Sequence, residues 1–170
     1  SHKMHGPAGA GVLAIRGGAR GSGLEPLIEG GGHEYALRSG SLDAPAIIGF
    51  GAACLRAMEL MPQEALHQQA LRDKLESALL ECFPGSRVHG ALGQRVPSIT
   101  MFSLATGRPE PIPTLVMDVA CSTGSACSSA TVGPSHVLEA IGVSAAEAAG
   151  AVRLSVGRMT TEADIDQAIK

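Results

Sequence analysis

The chain has 170 residues, enough for one domain and a fraction of another. It is 45% apolar and 17% charged, with a net charge of −3, so it can bury a core and is not a disordered tail. Three Lys against ten Arg, no Trp, one Tyr and three Phe argue against a nucleic-acid binder, which needs basic patches and stacking aromatics. No uninterrupted run of about 18 apolar residues occurs, so no membrane span is expected, and no charged-then-apolar opening reads as a secretory signal.

Residues 1–41 are Gly-rich and irregular, with one short apolar run, Val12-Leu13-Ala14-Ile15, that reads as a strand. Asp43 followed by Ala44-Pro45 is a helix start, Asp43 being the N-cap. This helix is expected to run to about Met61 and to break or kink at Pro62. A second helix then carries Leu66, Leu71, Leu75 and Leu79 and stops at Phe83-Pro84-Gly85. Arg87 to His89 and Ser98 to Leu104 read as strands, and Arg108 to Pro113, with three prolines, as extended chain. A short helix from Pro134 to Ile141 closes on Gly142, and Ser144-x-x-Glu147 is a capping box on the next. Val152 to Val156 is a strand and Thr161 to Ile169 the last helix. The expected divisions are 1–43, the linking helices 44–82, and a compact α/β unit 83–170.

The cysteines stand at 54, 82, 121 and 127, with no Cys-x-x-Cys. That spacing suits neither a disulfide framework nor a zinc site, and the expected setting is a reduced, cytoplasmic one. Cys54 and Cys82 fall in apolar helical patterns and read as small core residues. Cys121 and Cys127 do not. Cys127 sits in Ser122-Thr123-Gly124-Ser125-Ala126-Cys127-Ser128-Ser129, a stretch with almost no apolar content. Core packing does not explain a thiol there. A small polar loop can present one, which makes Cys127 a candidate nucleophile; the bland alternative is a Ser/Gly linker with an incidental Cys. Gly6-x-x-Gly9-x-Gly11 lacks the Lys and Ser/Thr of a P-loop and reads as a turn.

Five segments, in order, resemble the group I cysteine desulfurases of the class V aminotransferase family. Ser1-His2-Lys3 with Gly6-Pro7-x-Gly9-x-Gly11 is similar to the cofactor-lysine segment. Gly30-Gly31-Gly32-His33-Glu34 with Arg38-Ser39-Gly40-Ser41 resembles the family's Gly-Gly-Gly-Gln-Glu and Arg-(Ser/Ala)-Gly-Thr. Ser122 to Ser129 resembles its catalytic Cys loop. Pro134-Ser135-His136-Val137-Leu138 is similar to the family's segment next after that loop, and Val152-Arg153-Leu154-Ser155-x-Gly157-Arg158-x-Thr160 to its late strand. The match covers nearly the whole chain. It departs from the family at Ala8, at His33, at Ser1, which does not match the phosphate-binding Ser, and in the Pro-rich stretch before the Cys loop.

The resemblance implies an α/β fold: the C-terminal portion of a fold type I pyridoxal-phosphate transferase, with the end of the large domain and the small α/β domain. It implies the removal of sulfur from L-cysteine, giving L-alanine and a persulfide. Lys3 would hold pyridoxal 5′-phosphate as a Schiff base and move the α-proton. His2 would line the phosphate site, and Ser41 would contact the cofactor phosphate of a neighbouring subunit. Cys127 would attack the substrate sulfur, and Arg153 would grip the substrate carboxylate. No resident metal is implied, although Cys127 is a candidate transient iron–sulfur ligand. The implied partners are a second copy in a homodimer and a sulfur acceptor or iron–sulfur scaffold protein. Selenocysteine uses the same groups. The rival reading is an inactive fragment or degenerate copy that serves as a binding or dimerisation module; a lyase or transaminase of the same fold would have no need of the mobile thiol.

Overall fold

The computed structural model describes residues 1–104, 119–122 and 135–170. The chain divides into two compact units, Ser1–Met61 and Pro62–Lys170.

One element runs through both stretches of sequence. Helix α1 covers Ala44–Cys82, 39 residues, with Pro62 inside it. The expected break at Pro62 does not occur. A proline removes one backbone hydrogen bond and crowds the preceding turn; good helix formers on both sides, from Ala52 to Leu60 and from Gln63 to Leu66, absorb that local cost. The expected N-cap is present: the Ala46 amide donates to Asp43 Oδ1 at 3.1 Å. By length and composition α1 is apolar enough to cross a membrane, with a mean hydropathy of 1.4 over its most apolar window, only 6% of which is buried. The run is not continuous: Arg56 and Glu59, paired with each other at 3.0 Å, interrupt it. Of the two cysteines expected in the core, Cys54 is half-buried and Cys82 is exposed, and Ile48, Leu55 and Met58 of the apolar pattern around Cys54 are exposed.

The first unit is built mostly of turns. Val12 to Ile15 forms no strand, because this isolated apolar run between glycine turns has no second strand among the described residues to complete a ladder. Val12, Leu13 and Leu27 are exposed, and Ala46 is the unit's buried apolar residue among those described. The Lys3 loop is nonetheless held against α1. Pro7 packs on Gly49, where a Cβ would meet its ring at 2.5 Å, and at Gly6 a Cβ would come within 2.2 Å of Ser1 Oγ.

The second unit holds a three-stranded antiparallel sheet in the order β1 (Arg87–His89), β2 (Ile99–Ser103), β3 (Ala151–Ser155). Val88 faces Phe102 across the first pair; Phe102 faces Val152, and Met101 faces Arg153, across the second. Strand alternation separates the two faces of the sheet. On one, Phe102 and Val152 pack with Leu79, Val88 and Leu154, and the adjoining cluster of Leu71, Leu75 and Ile165 joins α1 to helix α4 (Glu162–Ile169). On the other, Ala151 and Met101 meet Leu138 of helix α2 (His136–Ala140) and Ala148 of helix α3 (Ala145–Ala149). Arg95 donates to both oxygens of Glu76 at 2.5 and 2.8 Å, and Arg72 donates to the Val96 carbonyl at 3.1 Å; these bonds bind the segment before β2 to α1.

Two helix starts carry the expected chemistry. Ser144 with Glu147 and Thr161 with Asp164 both form reciprocal capping boxes. The bonds from Ser144, with the Arg87 guanidinium, hold the Glu147 carboxyl below its ordinary range. Those from the Thr161 amide and hydroxyl do the same for Asp164. A carboxylate with a lowered folded-state pKa stabilises the fold above its ordinary range and loses that contribution as pH falls through the lowered value. The denaturation midpoint should therefore fall as the solution is acidified below the ordinary carboxylate range, and a Ser144→Ala/Thr161→Ala double variant should show a flatter acid dependence. An identical slope in the variant would mean the caps do not cause it.

Candidate active site

Each expected site residue has a defined position except Cys127, which lies outside the described residues. His2 and Lys3 form a 3-10 turn, His2–Met4, whose closing residue His5 is left-handed at φ 62°. The turn is tied to its base: the Met4 amide donates to the Ser1 carbonyl at 2.8 Å. Lys3 and His2 are exposed, and Ser1 Oγ is buried with no hydrogen-bond partner. Among the described residues Lys3 makes no hydrogen bond or ion pair, so its amine is free to react.

Ser41 is exposed just ahead of the Asp43 cap. The motif before it is a built turn. Arg38 donates to the Ser39 carbonyl at 2.9 Å, Ser39 is buried and donates its amide to the Ile28 carbonyl, and Gly40 takes φ 106°, which a side chain would strain. Ser39 is thus the structural member of the motif and Ser41 the one left accessible. Upstream, Glu34, Tyr35 and Ala36 all take positive φ, between 52° and 65°, a strained conformation of the kind found at functional sites. Among the described residues no hydrogen bond joins Ser41 to Lys3.

In the second unit, β3 carries Arg153 on the face opposite Val152 and Leu154, as its alternation predicts. The guanidinium Nε is buried and has no hydrogen-bond partner, and Arg153 forms no ion pair among the described residues. A half-buried cation gains by pairing with an anion. Its backbone is held on both edges: β2 lies on one side and Ser122 on the other, with Ser122 N donating to the Arg153 carbonyl at 3.2 Å and Arg153 N to the Ser122 carbonyl at 2.6 Å. Ser122 begins the thiol-bearing segment, so that segment starts beside Arg153. The sequence offered no sign of this pairing, because a lone two-residue bridge has no periodic pattern.

Cys121 was not expected to be core, but it packs at the edge of the Phe102–Val152 cluster, and burial pushes its thiol pKa up. A raised pKa disfavours the thiolate and so disfavours Cys121 as a nucleophile. It also lines an apolar cavity of about 380 Å³ with Leu75, Phe102 and Ile165, on the side of the sheet away from Arg153. No group of three or more His, Cys, Asp or Glu suited to a metal occurs among the described residues.

The chain belongs to the class V aminotransferase family, whose model matches residues 1–168. That family uses pyridoxal phosphate. The chain is 40% identical to the cysteine desulfurase NifS of Azotobacter vinelandii over 171 aligned residues, covering 99% of the chain and 42% of the relative. It is 39% identical to a mitochondrial cysteine desulfurase of Eremothecium gossypii, covering all of the chain and 34% of the relative. A solved NifS-like protein superposes with a TM-score of 0.77 at 33% identity, covering 99% of this chain and 42% of that one. The chain therefore spans less than half the length of these relatives.

Proposed function

We propose that this chain is the catalytic C-terminal part of a cysteine desulfurase, active as a homodimer that passes sulfur to an acceptor or iron–sulfur scaffold protein. The observation that carries the reading is Arg153: a guanidinium with a buried, unpartnered Nε, on a strand whose other edge holds the first residue of the Ser-Thr-Gly-Ser-Ala-Cys segment. A carboxylate receptor and a tethered thiol suit an amino-acid substrate that gives up sulfur. Cys127 stands five positions after Ser122, so the covalent chain keeps its Cα within about 18 Å of the Ser122 Cα.

The described residues fit pyridoxal phosphate in kind. Lys3 offers a free primary amine on a tied turn, Ser1 Oγ is an orphaned buried hydroxyl beside it, and His2 and Ser41 are accessible polar groups. Lys3 would hold the cofactor, with His2 toward its phosphate and Ser41 toward the cofactor phosphate of the neighbouring subunit. When bound, the cofactor supplies an electron sink for charge developing at the substrate α-carbon. Lys3 Nζ then carries the α-proton. Arg153 fixes the carboxylate through two parallel N–H donors. The Cys127 thiolate takes the sulfur. An S–S bond forms, and the substrate C–S bond breaks with its electron pair left on carbon. That carbon gains a proton to give alanine, and Cys127 holds a persulfide. The many exposed apolar residues of the first unit support its completion by further protein surface, so the 170-residue chain by itself should retain cofactor poorly.

Arg153 provides the test. Losing a charge-assisted, bidentate grip costs about 1.5–3 kcal/mol, or about 10–150-fold in kcat/KM. Arg153→Lys should fall in this range and Arg153→Ala at or beyond its upper end, mainly through KM for cysteine. An unchanged KM in both variants would remove Arg153 from the substrate site.

A further inference from the structure

The second unit buries a polar chain that the proposed chemistry does not use. His89 Nε2 lies 2.6 Å from Ser103 Oγ, and Ser103 Oγ donates to the Glu147 carbonyl at 3.1 Å. His89 and Ser103 are only 9% and 4% exposed. A hydroxyl has one proton, and here it is committed to Glu147, so Ser103 accepts from His89, whose proton stands on Nε2. Arg87 adds an outer tie, donating to Glu147 Oε1 at 3.0 Å. Helix α3 is thus bolted to β1 and β2 at Glu147, and β3 begins four residues later at Ala151, opposite Ser103.

That placement bears on a specific ambiguity. A one-residue slip of β3 would drive Val152 and Leu154 off the apolar face, so the hydrophobic pattern forbids it. A two-residue slip keeps every side chain on its own face and carries no such penalty, yet it moves Arg153 along the sheet by about 7 Å. We propose that the His89–Ser103–Glu147 chain is a register clamp, and that His89 and Ser103 are positioning residues that set Arg153 opposite Met101. The functional consequence rests on the reading of Arg153 as the substrate anchor; the clamp itself does not.

The charged groups facing His89 are Arg87 on its own strand and Glu147 on α3. Burial is the larger influence and holds the imidazole below its ordinary pKa. Acid therefore places a buried cation in the clamp, and stability owed to neutral His89 is lost as pH falls from the ordinary imidazole value through the lowered one.

Engineered disulfides read the register directly. Ser155→Cys is combined in turn with Ile99→Cys, which faces it in the structure, or with Met101→Cys or Pro97→Cys, which face it after a two-residue slip either way. Each pair is oxidised in the intact protein and mapped by peptide mass. The parent should cross-link at 99–155. Adding His89→Leu or Ser103→Ala should raise a slipped cross-link at least fivefold, and His89→Gln, which restores a donor at the same place, should suppress it. Acidifying the unmutated background through the His89 titration should raise the same product, a readout that survives if a variant fails to fold. Cross-linking only at 99–155 in every background and at every pH would overturn the clamp. Because no substrate is present, that outcome is independent of the Arg153 kinetics.

Discussion

Replacing Lys3 with alanine is expected to abolish both the absorbance of protein-bound pyridoxal phosphate and turnover of cysteine in the assembled desulfurase. No other residue of the chain is assigned the same two tasks. On the proposed reading its amine holds the cofactor and the same nitrogen moves the α-proton, so one substitution removes the attachment and the base together. Groups that act as a unit lose most of their effect with the first deletion, and turnover should drop by about three orders of magnitude or more. The location of Lys3 supports this role: it is exposed, without a partner among the described residues, and borne on a turn tied back to Ser1 and packed on α1 through Pro7. Lys3→Arg keeps the charge but cannot attach the cofactor in the same way. If it retained the absorbance and the rate, Lys3 would be a surface cation and the assignment would fail.

Cys127→Ala should behave differently. Cofactor absorbance should persist, because Cys127 is not asked to hold the cofactor, while sulfur transfer to an acceptor should fall by about a thousandfold or more for want of a nucleophile. Cys121→Ala separates the two neighbouring thiols. Cys121 packs beside Phe102 and Val152, and its thiol pKa is raised, so its loss should lower stability modestly and leave sulfur transfer within about threefold of the parent.

The parts of the fold that were legible in the sequence are those with local causes. Ser144-x-x-Glu147 forms a capping box because the hydroxyl and carboxylate satisfy amides within one turn, and Asp43 caps α1 for the same reason. The side on which Arg153 stands follows from strand alternation between Val152 and Leu154. What was misread depends on surroundings. Val12 to Ile15 has strand composition and no strand to pair with among the described residues, Leu55 and Met58 of the apolar pattern around Cys54 are exposed, and Cys82 ends its helix in the open. At Pro62 the known cost of an interior proline was outweighed by the helix on either side.

The site divides in the same way. Motif resemblance selected His2, Lys3, Ser41, Cys127 and Arg153; the unpartnered, buried Nε of Arg153 is visible only in the fold. The pairing of Ser122 with Arg153 and the chain from His89 through Ser103 to Glu147 link residues 31 and 58 positions apart, with no periodic signal to announce either. The first lies along the free edge of β3, the second on the face of the sheet where Arg153 stands.

The most direct measurement is the mass of the protein after brief exposure to L-cysteine in the absence of an acceptor, with the modified residue mapped by peptide fragmentation. The desulfurase reading predicts one added sulfur atom on Cys127, lost in Cys127→Ala and in Lys3→Ala. Added sulfur on Cys54, Cys82 or Cys121 instead, or alanine formed at the parent rate by Cys127→Ala, would contradict it.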